Sequence, residues 1–65
     1  MTLILSIIIP TKDRPHYLRS AVTHALAALP EGGDVIVIDD YGTKPAQDTL
    51  RDITDPRLRI LCNAG

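Results

Sequence analysis

The chain has 65 residues, enough for one small domain and too few for two. Seven Lys and Arg against eight Asp and Glu leave a net charge of −1, which argues against nucleic-acid binding by phosphate neutralisation and against a polybasic membrane anchor. Phe and Trp are absent, so base-stacking platforms are scarce, and a lone cysteine, Cys62, excludes an internal disulfide.

The first segment, Leu3 to Ile9, is an almost continuous run of aliphatic residues that Pro10 is expected to close. It lacks the basic start and small-residue cleavage site of a signal peptide, and it is far shorter than the roughly 20 residues of a membrane span. It therefore reads as a strand of a parallel sheet covered on both faces. With no targeting segment, a cytoplasmic location is expected.

The period then changes. Leu18, Val22, Ala25, Leu26 and Leu29 fall on one helical face, with Thr11 or Asp13 as its expected cap and Pro15 in its first turn. Pro30 and Gly32-Gly33 stop it. Val35 to Ile38 is a second apolar strand that halts at Asp39-Asp40. After the loop Tyr41 to Pro45, the residues Ala46, Leu50 and Ile53 predict a second helix, ended by Asp55-Pro56. Leu58 to Cys62 reads as a third strand, followed by a turn signal at Asn63-Ala-Gly65.

The order is strand, helix, strand, helix, strand with short connections. It predicts an α/β fold over residues 1–65, a three-stranded parallel sheet forming half of a Rossmann-like, doubly wound domain. A chain this short buries only about 60% of its extended surface, so its core is marginal. The partner expected on that ground is a second copy or the remainder of a larger domain.

Ligands of open parallel sheets bind beyond the carboxyl ends of the strands. Two polar clusters belong there, Thr11-Lys12-Asp13-Arg14 after the first strand and Asp39-Asp40 after the second. Carboxylates accept hydrogen bonds strongly from an imide N–H or from ribose hydroxyls. Successive residues of a strand point oppositely, so Asp39 and Asp40 cannot address the same ligand atom. One should reach a ligand while the other braces the turn.

Other chemistry-bearing residues are weaker candidates. His16 and His24 lie about 12 Å apart along a helix, too far to share a metal. Cys62 reads as a small buried hydrophobe, and Arg57 and Arg59 as markers of an exposed strand face.

Ser6-Ile-Ile-Ile-Pro-Thr-Lys-Asp-Arg14, Tyr17-Leu18, Val35-Ile-Val-Ile-Asp-Asp40, Asp55-Pro-Arg-Leu-Arg-Ile and Asn63-Ala-Gly65, in that order, resemble the amino-terminal segment of family 2 glycosyltransferases of the GT-A fold. The resemblance covers essentially the whole chain. It implies a partial GT-A domain that binds a nucleotide sugar, a UDP- or dTDP-sugar, for transfer to an acceptor hydroxyl. Carried over, Pro10, Thr11 and Asp13 line the base and ribose pocket, Asp40 is the first choice for the nucleoside carboxylate and Asp39 the second, and Arg14 approaches the phosphates. The family also implies a divalent cation, Mg2+ or Mn2+, and a later general base; the segments that carry them have no counterpart here. The chain alone is therefore expected to bind rather than catalyse.

Two departures stand out. Lys12 occupies a position that is commonly aromatic in the family, and Tyr41-Gly42-Thr43-Lys44 replaces the usual Gly-Ser-Thr-Asp. Tyr41 either supplies the missing ring or covers the sheet edge, and Lys44 reverses the usual charge. A second hypothesis, from a different class, is a non-catalytic interaction module that uses its open sheet edge for docking, including to a copy of itself.

Overall fold

A computed structural model describes residues 5–40 and 42–63. The expectations for Leu3 and Ile4, for Tyr41 and for Ala64-Gly65 lie outside the described residues.

The elements alternate as the sequence predicts: β1 (Ser6–Thr11), α1 (Pro15–Ala28), β2 (Asp34–Asp39), α2 (Ala46–Thr49) and β3 (Leu58–Cys62). The strands form one parallel sheet in the order β1-β2-β3, with Ile8 opposite Ile36 and Ile36 opposite Arg59. This is the expected α/β architecture of a Rossmann-like half domain.

Pro10 does not end the first strand; it lies inside β1, and Thr11 still pairs with Asp39. The carbonyls of Leu5 and Thr11 both accept amides of the segment carrying β2, from Asp34 and Asp40. Alternate residues of β1 therefore face β2, and Pro10, in between, turns its missing donor toward the sheet edge, where none is needed.

α1 begins with Pro15, whose fixed φ suits the first turn. Neither Thr11 nor Asp13 caps it; the cap position is Arg14, with no side-chain hydrogen bond. At the other end Leu29 is extended, as the residue before a proline prefers. Gly32 then supplies a φ of +84° for the turn into β2.

Both helices pack on the same face of the sheet. Leu18 and Val22 of α1, Val37 of β2, and Ala46 and Leu50 form one buried cluster, flanked by Ile9, Leu26, Ile53, Leu58 and Ile60. The other face carries no helix among the described residues, and Ile8 and Leu61 remain 58% and 52% exposed. The uniformly apolar runs predicted two covered faces. The structure covers one, because consecutive strands laid side by side put both crossovers on the same side.

α2 is shorter than its apolar stripe suggests. Ala46 and Leu50 are buried, yet the helix closes at Thr49 and continues as turns. The Arg19 guanidinium donates to the Thr49 carbonyl at 3.1 Å, and the Ile53 amide, its α-helical partner, bonds Leu50 instead. Arg19 of α1 thus satisfies a carbonyl that the end of the helix leaves without its amide partner. Arg19 also holds both carboxylate oxygens of Asp52 at 2.6 Å, and that bidentate contact keeps the Asp52 carboxyl below its ordinary pKa.

Cys62 is exposed rather than buried, at the end of β3, an edge strand of the sheet. Arg57 lies before β3 and folds back on Asp55, while Arg59 is exposed as expected.

Candidate functional site

The strands end together at one edge of the sheet, and the polar clusters gather there. A cavity of about 430 Å³ opens between them, lined by Pro10, Thr11, Lys12, Arg14, Tyr17 and Asp40. β1 delivers Pro10 and Thr11, and the tight turn into α1 delivers Lys12 and Arg14. The first turn of α1 places Tyr17, and the residue just past β2 is Asp40. The Asp40 amide donates to the Thr11 carbonyl at 2.9 Å and fixes the two walls relative to each other.

The neighbouring carboxylates diverge, as strand alternation requires. Asp39 follows Val35 and Val37 onto the helix side and is only 4% exposed. One of its oxygens accepts the Ala46 amide at 3.0 Å, which satisfies a free donor at the start of α2. Its other oxygen is buried without a hydrogen-bond partner among the described residues. Asp40 is exposed on the cavity wall, with a long contact of 3.4 Å from the Asn63 side-chain amide. Asp39 is the brace, and Asp40 is the carboxylate that faces solvent.

Asp13 takes a third course. Its φ of +52° lies in the left-handed region, which Asp tolerates better than most side chains. There its carboxylate accepts the Lys44 amide at 2.8 Å and lies so close to Gly42 that a Cβ at that position would collide with it. Asp13 is not among the residues lining the cavity.

Of the six residues singled out in the sequence, the structure brings four together around the cavity, Pro10, Thr11, Arg14 and Asp40. It uses Asp13 and Asp39 to hold backbone. Lys12 joins the lining, and so does Tyr17, which sequence reasoning missed. Tyr17 falls off the Leu18–Val22 stripe and is 71% exposed. A large aromatic off the apolar face in the first turn of a helix was the available signal. Asn63, read as a turn residue, reaches the site through the end of β3; its backbone N–H donates to the Asp39 carbonyl at 2.7 Å.

Residues 6–64 match the family model described as Glycosyl transferase family 2. The chain belongs to that family. The match spans all five elements and both clusters of the site. Neither the curated proteins nor the solved structures compared with the chain give a significant match.

For a family 2 chain, two features of the described residues are informative. The cavity carries two cationic side chains, Lys12 and Arg14, beside one exposed carboxylate, Asp40. No group of three His, Cys, Asp or Glu side chains comes close enough to hold a metal ion among the described residues. The described residues therefore offer no three-ligand set for the divalent cation that the family implies. His24 is turned back on its own helix, donating from Nδ1 to the Ser20 carbonyl at 2.7 Å. Among the described residues no helix is long and apolar enough to cross a membrane.

Proposed function

We propose that the cavity binds the nucleoside diphosphate part of a sugar donor, a UDP- or dTDP-sugar, and that this segment supplies donor binding to glycosyl transfer onto an acceptor hydroxyl. The observation that carries the reading is the position of Asp40. It is an exposed carboxylate, with a long 3.4 Å contact from Asn63, at the carboxyl ends of adjacent parallel strands, on the wall of a cavity whose other charged groups are cations.

Each lining residue has a role that follows from its chemistry. Asp40 accepts a hydrogen bond from the imide N–H of the base or from a ribose hydroxyl. Pro10 and Thr11 form the wall against which the nucleoside rests. Lys12 and Arg14 face the diphosphate, Arg14 through its planar fork of donors. Tyr17 offers the ring that the family commonly carries at the position of Lys12, here projected from the helix rather than the loop.

Calorimetric titration of the chain with UDP and UDP-sugars, with and without Mn2+, tests the reading. Saturable binding that is largely indifferent to the metal is expected. Replacement of Asp40 by Ala should weaken it about ten- to a hundredfold, the loss of one hydrogen bond to a charged group. Unchanged affinity in Asp40→Ala would remove the basis of the assignment.

A further inference from the structure

We infer that Asp13 is a positioning residue for the cavity, a staple that joins the loop after β1 to the loop after β2 and so sets where Asp40 stands. The inference rests on the nucleotide reading of the cavity and replaces the ligand-contacting role that the resemblance implied for Asp13.

Three observations converge on it. The Asp13 backbone is left-handed, with φ +52°, a conformation that Asp and Asn tolerate better than most residues. The carboxylate accepts the Lys44 amide at 2.8 Å, across 31 residues of sequence. Gly42 lies flat against the same carboxylate, where no Cβ fits. The segment after β2 is therefore held at two points by a carboxylate that accepts a backbone amide. Asp39 takes Ala46 from inside, and Asp13 takes Lys44 from outside. Asp40 lies at the start of that segment, tied through its own amide to Thr11. With Asp13 and Asp39 both committed to backbone, Asp40 is left as the carboxylate on the cavity wall.

A staple needs an acceptor and a left-handed backbone but no charge on the ligand side. Asn meets both needs, because it tolerates φ near +50° and its amide oxygen accepts the same N–H. Gly adopts the backbone without strain and lacks the acceptor. The two substitutions therefore separate a positioning role from a direct contact.

The test measures UDP affinity, thermal unfolding and Lys44 amide exchange in the wild-type chain and in Asp13→Gly, Asp13→Asn and Gly42→Ala. Asp13→Gly should weaken UDP binding about tenfold, the effect of one lost hydrogen bond, and speed Lys44 exchange. Asp13→Asn should stay within about threefold of wild type on both, given the retained acceptor. Gly42→Ala should resemble Asp13→Gly, and combining the two should add little beyond either alone, since both break the same contact. Wild-type affinity in Asp13→Gly overturns the staple, and so does an Asn variant as weak as the Gly variant, which would mean the charge touches ligand. If Asp13→Gly fails to fold, Asp13→Asn decides: affinity within about threefold supports the staple and a loss of about tenfold refutes it. A wild-type chain that shows no UDP response overturns the nucleotide reading instead, while the staple is then judged by Lys44 exchange alone; fast exchange in the wild type overturns it.

Discussion

Asp39 and Asp40 are neighbours in the chain and belong to different regions of the molecule. Asp39 is the last residue of the helix-packed side, in line with Val35 and Val37, and is 4% exposed. Asp40 opens onto the cleft with Tyr17, Lys12 and Arg14. On the packed side the groups serve the fold: apolar side chains fill the cluster and one oxygen of the Asp39 carboxylate occupies a backbone donor. In the cleft the side chains cover little and, Asn63 apart, Asp40 has no side-chain partner among the described residues. The same acid is structural or available to a ligand according to which way one pleat of a strand sends it.

The contrast is broken most severely on the packed side. Leu18→Ala should cost about 2–5 kcal/mol, the range for a large aliphatic deleted from a core. In a domain this small, chemical denaturation should find little folded protein left. Asp40→Ala should leave stability within about 0.5 kcal/mol of wild type, as for an exposed site, while abolishing most UDP affinity. Asp39→Ala should act first on the fold, lowering stability by about 1–3 kcal/mol because the Ala46 amide loses its acceptor. Urea midpoints measured beside UDP titrations for both variants give the comparison directly. Equal stability losses in the two would erase the distinction between the regions.

Smaller effects sharpen the cleft. Tyr17→Ala should weaken UDP binding by about 1–3 kcal/mol, the range for one base stacked on an aromatic, and Tyr17→Phe should retain it. An Ala variant with wild-type affinity would leave the ring as surface. The smallest effect lies away from the site, before β3. Arg57 donates to both oxygens of Asp55 and, mainly through those hydrogen bonds, holds its carboxyl at a pKa of about 2, below the ordinary 3.8. A depressed carboxylate stabilises the fold above its unfolded pKa. This contribution is therefore fully present above about pH 4 and is lost as pH falls through about 2. Urea midpoints followed from about pH 5 down to about pH 2 should show a drop that shrinks in Arg57→Met.

The element order was legible because each segment's apolar period is local: runs for the strands and a Leu18–Val22–Leu26 face for α1. The divergence of Asp39 and Asp40 was legible for the same reason, since alternation follows from strand geometry alone. The corrections all came from partners distant in sequence. Pro10 sits inside β1 because β1 is an edge, which is a property of the sheet. α2 ends at Thr49, whose carbonyl is met by Arg19, 30 residues earlier. Asp13 accepts the Lys44 amide, instead of capping α1, because the two loops meet. Cys62 is exposed at the end of β3, which is an edge strand, again a property of the sheet. Local pattern carries the elements, and tertiary contact decides which polar residues remain free.

That freedom is the central claim for Asp40, and residue-resolved NMR during a UDP titration tests it most directly. The account predicts saturable shifts confined to Thr11, Lys12, Tyr17 and Asp40, little changed by Mn2+ and absent in Asp40→Ala. A well-dispersed spectrum that does not respond to UDP, or one that responds only away from this cavity, would contradict it.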